Sequence, residues 1–488
     1  MFRRERVSTT SDGFKKSSSR GAVSKPDMPI SLKDDDRHGL ITLLITALSS
    51  FLIPFMSSSV IIALPAMGRE FEMNIITLSW LTTSYILASA SLLVPFGRLS
   101  DMYGRKRIFL IGYVIFFIGS TLAAATPNGT ILLVSRAVQG LGGAAILSTT
   151  LALLTEVFAR RGLGRALGIN TAAVYAGLSM GPFLGGLLTE SIGWRSIFWI
   201  SSLSCFVVIT AVVWKLRDFN EKTKERFDLA GTVLYSTSLI ALIYGLSRLP
   251  DTIGILAISA GLLGAGFFVR RANRTEVPLI NFQIFIHNRG FTFSNLAALI
   301  HYSGTWAVTF LLSLFLQFAK GLPAETAGLV LITSPIVQAL LSPSCGRLSD
   351  RVEPRILASI GMAVTVVGMA MLVLLSAQTG IVYIIVSLVI IGSGFALFAS
   401  PNTNAIMSSI DPAYYGFASA TVATMRQIGM TLSMGMVMVV FALVIGSVEI
   451  TPDRHHAFIT SSRIIFFIAS LLCVSAIFAS LARGTIHK

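Results

Sequence analysis

Charge is what this sequence has least of. Asp, Glu, Lys and Arg together make up 12% of its 488 residues, against 53% hydrophobic residues. A soluble domain needs more charge than that at its surface, so the composition, with a mean hydropathy of +0.76, describes an integral membrane protein. Cysteine is nearly absent too. Cys205, Cys345 and Cys473 all fall within or at the ends of apolar runs, which excludes a disulfide framework and leaves them as packing residues. There is no phosphate-binding loop, nucleophile triad or metal-ligand spacing, so neither an ATP-driven pump nor an enzyme is expected, and no cofactor or metal. Acids are missing from the interior of every long apolar run: Asp101, Glu156, Glu190, Asp350 and Asp411 lie at edges or in loops.

What is present in excess is positive charge, a formal net +15. Nine of the 38 Lys and Arg precede Gly39, and most others lie in short connections between apolar runs. That distribution is a topology signal, not a nucleic-acid footprint. Residues 1–38 are rich in Ser, Lys, Arg and Asp and lack an apolar core, so they are expected to be a disordered cytoplasmic tail and neither signal peptide nor span.

A bilayer core of ~30 Å takes ~20 apolar residues in a helix. Fourteen runs qualify, near 41–64, 77–97, 107–125, 131–153, 164–188, 196–214, 229–247, 253–269, 291–318, 326–345, 356–376, 380–400, 417–444 and 461–482. All are taken as helices, because an open strand cannot satisfy its backbone in lipid. Alternating sides from an inside N-terminus gathers Arg98, Arg105, Lys106, Arg107, Arg270, Arg271, Arg347 and Arg351 among many others inside. Only Arg69, Arg195, Arg248, Lys320, Arg454 and Arg463 fall outside. Both termini are therefore expected in the cytoplasm, with the bundle in the plasma membrane. The inside connection 401–416 carries no basic residue and adds nothing to this asymmetry.

One pentapeptide occurs twice: Gly97-Arg98-Leu99-Ser100-Asp101 and Gly346-Arg347-Leu348-Ser349-Asp350, each closing an apolar run. Repetition in both sequence and position argues for a duplicated domain. The copies end spans two and ten, where six spans per half would place the second at span eight. Spans 229–247 and 253–269 are thus an insertion. The expected organisation is a tail 1–38, a six-helix half 39–216, two inserted helices 217–275 and a second six-helix half 276–488.

The stretch from Gly97 through Asp101 and Gly104 to Arg105, Lys106 and Arg107 closely resembles the loop between spans two and three of the major facilitator superfamily. Resemblance implies a conformational latch on the cytoplasmic face, with Asp101 and Arg105 holding the halves together and Glu156 the acid best placed by topology. Arg136, Gln139, Gly140 and Gly143 share one face of span four and look like that superfamily's span-four motif. The motif implies a part in proton coupling or substrate response; a structural arginine bonded to carbonyls is the alternative. Gly177, Gly181, Pro182, Gly185 and Gly186 resemble the span-five motif of exporters, with a glycine every four residues for close helix packing. Gly193-Trp194-Arg195 then opens span six, as in the same branch.

Over residues 39–482 the chain is similar to the fourteen-span drug:proton antiporters. It departs from them in the first span, where Met56 and Ser57, Ser58 and Ser59 precede Ala63-Leu64-Pro65 and the branch usually has an acid. Arg136 and Arg426 are the charges well inside spans. Two readings stand for them: a cationic cavity that disfavours dicationic drugs, or arginines satisfied by carbonyls and by Gln139 and Gln427. His301 either titrates near neutrality or packs as a hydrogen-bonded residue. In this fold spans one, four, nine and twelve would line the cavity, offering Asn295, His301, Tyr302, Trp306, Phe395 and Asn402 as candidates for apolar, flat ligands.

The function expected is proton-coupled export of small amphiphilic compounds by a monomer, with substrate, protons and lipid as its partners and no nucleic acid. An importer of organic acids on the same fold, or a non-transporting receptor or scaffold, are the rivals. The topology is checked by cysteine labelling: Thr379→Cys should react from outside and Asn220→Cys from inside. Labelling of both from one side would sink the arrangement.

Overall fold

The computed structural model describes residues 32–158, 163–216, 227–275, 278–280, 282–349, 351–410, 415–446 and 454–484. Residues 1–31, Asp350, Asp411 and the labelling position Asn220 lie outside the described residues. In chain order the helices of one half are α1 (Leu32–Glu70), α2 (Ile75–Tyr103), α3 (Arg105–Ala124), α4 (Gly129–Phe158), α5 (Leu163–Ser191) and α6 (Arg195–Lys215). The inserted pair is α7 (Leu229–Ser247) and α8 (Thr252–Ala272), followed by a short α9 (Phe282–His287). The second half holds α10 (Arg289–Thr305), α11 (Ala307–Leu314), α12 (Ala324–Leu331), α13 (Thr333–Ser349), α14 (Pro354–Val373), α15 (Ile381–Ser408), α16 (Tyr415–Val444) and α17 (His455–Ala482).

Fourteen stretches among the described residues are long and apolar enough to cross a membrane, matching the number read from sequence. Three boundaries differ. The first helix begins at Leu32, inside the segment expected to be tail. The ninth span is broken: α10 stops at Thr305, the Ala307 amide turns to the Ser433 hydroxyl (3.1 Å), and a π-helical turn Phe315–Ala319 closes the segment. The tenth span divides at Ile332 into α12 and α13. Short apolar windows cannot report a break such as that at Thr305, because a side chain on another helix takes part in it.

Local sequence sets many of the ends. Asn74, Asp228 and Asn288 each accept the backbone N–H three residues on, at 2.8–2.9 Å, and start α2, α7 and α10. Gly104 sits at φ 101°, a conformation that glycine adopts without Cβ strain, and so turns α2 directly into α3.

The two halves pack alike. In the first, α1 lies on α5, α2 and α3 on α4, and α3 on α6; in the second, α10 lies on α16, α13 and α14 on α15, and α14 on α17. Between the halves α2 meets α16, and α5 meets α12 and α13, which exchange under the same twofold relation. The repeated pentapeptides share an environment as well. Ser100 donates to the Gly97 carbonyl and Ser349 to that of Gly346, both at 2.7 Å, while Gly97 faces Ser148 and Gly346 faces Ser400.

Prolines decide how the halves and the inserted pair are joined. Pro65 lacks an N–H, so the carbonyl of Ile61, four residues earlier, loses its helical donor. Ser313 of the other half donates to it at 2.9 Å, and Gln317 donates to the neighbouring Ile62 carbonyl at 3.0 Å. Pro95 frees the Ser91 carbonyl in the same way, and Ser236 of α7 takes it at 2.7 Å beside a 2.9 Å bond from Tyr235 to Ala90. The inserted hairpin thus lies on α2 and also touches α16. At its other end Asp228 accepts two bonds from Arg271 (2.8 and 3.0 Å), clasping α7 to α8.

A double-mutant cycle tests the proline argument. Ser313→Ala strands the Ile61 carbonyl, which costs ~1–3 kcal/mol for a buried acceptor, and should lower the apparent Tm in detergent. In a Pro65→Ala background the helix supplies its own donor, so the same substitution should have little effect. Equal losses in both backgrounds would show that the seam does not depend on this bond.

Candidate functional site

Three constellations lie along the bundle, and their bonds identify its two ends. At the end carrying Gly104, here the near end, Arg105 opens α3. Its Nη1 donates to the Ala152 carbonyl (2.9 Å) and to Glu156 Oε2 (3.1 Å), and its Nη2 stands 3.6 Å from Asp101 Oδ1. Glu156 is the more buried acid, with 15% of its side chain exposed against 46% for Asp101, so it is the tighter partner. These contacts join α2, α3 and α4 and lie within one half. Arg98 reaches farther, donating to the Pro278 carbonyl (3.2 Å) in the segment after α8.

Sequence reading missed a second near-end cluster. Arg483, at the end of α17, is 3% exposed. Its guanidinium donates to Asn402 Oδ1 (3.0 Å), Ser294 Oγ (3.2 Å), the Pro354 carbonyl (3.2 Å), and Ser480 through both hydroxyl (2.5 Å) and carbonyl (3.0 Å). Burial pushes its pKa down to about 10, which leaves it charged at neutral pH. Asn402 is therefore not a cavity residue. It lies inside α15, which runs on to Ser408, and its amide nitrogen donates to the Ser294 carbonyl (3.1 Å). The only sequence hint was one arginine just past the last apolar run.

At the far end Glu70 receives Arg195 at both carboxylate oxygens (2.6 and 2.8 Å) and the Trp194 indole at 2.7 Å. Arg195 also donates to the Thr126 carbonyl (3.1 Å), so the end of α1, the start of α6 and the turn before α4 are held together. Trp194 and Arg195 were visible as a motif; Glu70 carried no signal of its own.

The span-five residues lie on the seam. Gly177, Gly181 and Gly185 press α5 against α1, and Ser59 donates to the Gly181 carbonyl at 2.9 Å. A Cβ at Gly181 would collide with Ser58 Oγ, and one at Gly186 with the Ala324 carbonyl of the other half. The Pro182 carbonyl in turn occupies the place where a Cβ on Gly328 would fall. Two of the serines standing where an acid was looked for thus serve α1–α5 packing.

Mid-bundle, the two arginines part company. Arg136 is 1% exposed, donates to the Leu81 carbonyl (3.0 Å) and Gln139 Oε1 (2.6 Å), and lies 4.6 Å over the Tyr85 ring. Gln139 passes the chain on to Ser120 at 2.8 Å. Arg136 is satisfied inside one half, as the second sequence reading had it. Arg426 is half-buried, its guanidinium 5.0 Å over the Tyr302 ring, and its Nε is buried without a hydrogen-bond partner. Its neighbour Gln427 points across the seam, its amide nitrogen donating to Ser89 (3.0 Å).

The remaining candidates are split. His301 is fully buried among Phe398, Phe395 and Tyr302, at ring separations of 4.1, 5.4 and 6.2 Å. Neither ring nitrogen has a partner among the described residues, so the hydrogen-bonded reading of His301 does not hold. Tyr302 and Phe395 meet edge to face at 5.4 Å. Asn295 is buried and donates to the Phe291 carbonyl, while Trp306 stands half-buried at the break in span nine with its indole N–H unpaired. No cluster of metal-ligating side chains is found among the described residues.

Known transporters resemble this chain in sequence and in fold. A riboflavin transporter of Clostridioides difficile is 29% identical over 89% of this chain and 95% of its own. A multidrug resistance protein of Mycobacterium tuberculosis is 31% identical over 81% of this chain and 75% of its own. The nucleoside transporter NupG, solved as a mutant, superposes with a TM-score of 0.62 over 91% of this chain and 99% of that one, at 14% identity, and so shares the fold. The family model described as Major Facilitator Superfamily matches residues 46–434, more than half the chain, and the protein belongs to that superfamily of membrane transporters.

Proposed function

We propose that the chain exports small amphiphilic compounds in exchange for protons, by rocking its two six-helix halves about the seam. The observation that carries this reading is the placement of the span-five glycines. Gly186 and Pro182 are wedged against Ala324 and Gly328 of the other half, so the segment that resembles the exporter motif lies on the contact between the halves. The relative named as a multidrug resistance protein supports the same substrate class. The arginine-rich near end is taken as cytoplasmic from the charge asymmetry. Bonds from Ser313 and Gln317 to α1 join the halves toward the far end, which fits a state open to the cytoplasm. Proton coupling runs without a mid-membrane carboxylate, because every described carboxylate lies at a helix end or in a connection. Uptake of a metabolite is the second reading, favoured by the riboflavin transporter among the relatives.

Everted vesicles with an imposed pH gradient separate the two. An acid interior should drive amphiphilic dyes inward, and collapsing the gradient with nigericin should abolish the accumulation. Efflux from preloaded vesicles under the same gradient would establish uptake and remove the export reading.

The near-end latch has its own test in the same vesicles. Asp101→Asn should lower transport several-fold at unchanged abundance, because its exposed ion pair contributes little to stability. Glu156→Gln, which removes the buried partner of Arg105, should lower both. Loss of abundance alone in Asp101→Asn would make the loop merely structural.

A further inference from the structure

We propose that Arg426 and Tyr302 form a recognition centre for planar aromatic compounds bearing one negative charge. The inference rests on the transporter reading above and names its substrate class. Arg136, Arg426 and Arg483 each carry a guanidinium wholly or partly withdrawn from water. Arg136 spends its Nε on the Leu81 carbonyl, and Arg483 spends its Nε on the Ser480 carbonyl. Arg426 has a buried Nε with no acceptor among the described residues. A buried charged donor without an acceptor is unfavourable, and a group that supplies one is bound in proportion.

No described side chain is placed to supply it. The described carboxylates lie at helix ends or in connections, and Gln427, the nearest polar neighbour in sequence, turns its side chain toward Ser89 of α2 and leaves the Arg426 Nε without a partner. The Gln427–Ser89 bond crosses from α16 to α2, so position 426 lies beside the seam between the halves. The guanidinium is a planar fork, suited to a carboxylate or sulfonate accepting two parallel bonds. Flat surfaces adjoin it through Tyr302: that ring lies beneath the cation, Phe395 is edge-on to Tyr302, and Trp306 follows one turn farther along the chain with its indole N–H unpaired. An aromatic body meets the rings while its anionic group meets the free donor.

The test uses three isosteres: anthracene-9-carboxylate, neutral anthracene-9-methanol and cationic 9-(aminomethyl)anthracene. Binding is measured by fluorescence on the full chain in lipid nanodiscs, with empty nanodiscs subtracted. The carboxylate should bind about tenfold or more tighter than the alcohol, and the amine weakest. Arg426→Gln should bring the carboxylate to the level of the alcohol without changing the alcohol. Arg426→Lys, which keeps the charge and loses the fork, should retain part of the preference. Equal binding of amine and carboxylate to wild type, or an unchanged carboxylate-to-alcohol ratio in Arg426→Gln, overturns the proposal. Should Arg426→Gln not yield a monodisperse protein, the wild-type ratios and Arg426→Lys decide alone. Because nanodiscs carry no gradient, selective binding without pH-driven flux in vesicles strikes only the transport reading. Flux that does not discriminate charge, with unselective binding, strikes only this one.

Discussion

Every backbone carbonyl inside a bilayer needs a donor, and the prolines of this chain withhold donors at chosen places. In water a freed carbonyl would be hydrated; in hydrocarbon it must find a protein partner. Pro65 and Pro95 free the carbonyls of Ile61 and Ser91, and the partners are Ser313 from the second half and Ser236 from the inserted hairpin. A local defect in one helix thereby becomes an address for another. The relation between the halves, and the position of the inserted pair on α2, both follow from that requirement.

Glycines do the complementary work by letting backbones approach. Where Gly186 meets Ala324 and Gly328 meets Pro182, no side chain fits between the helices, so the contact is backbone on backbone. Dispersion and shape hold such a contact, and neither is directional enough to lock it. A seam of this kind suits halves that must separate and close again. The ends are held differently. Arg105 uses acids on its own half, whereas Arg483 is held by amide, hydroxyl and carbonyl acceptors on the other. The pseudo-twofold frame is shared, but its chemistry is not.

Inserting an unpaired guanidinium into hydrocarbon costs about 2.5–3.5 kcal/mol even on the mildest scale, so each arginine inside the bundle needs an account. Arg136 is met by a carbonyl, a glutamine and a tyrosine face. Arg426 has only the tyrosine face among these. The two differ in how their charge is met, although they were alike as positions in a string.

Fourteen spans, the duplicated frame with two inserted spans, and the superfamily were all legible in the sequence. Each depends on hydropathy, spacing or short motifs that act over a few residues. The residues that make sites were less legible. Asn402 reads as a polar residue facing a cavity and proves to be part of the Arg483 cluster, because α15 runs past the expected end of its span. The break at Trp306 depends on Ser433, which is remote in sequence. His301 lost its expected hydrogen bonds to three aromatic rings that only packing brings around it. Sequence alone determines which segments leave water, since that free energy is a sum over neighbouring residues. Which polar group meets which acceptor was decided by the tertiary structure, because in a bilayer those partners come from other helices.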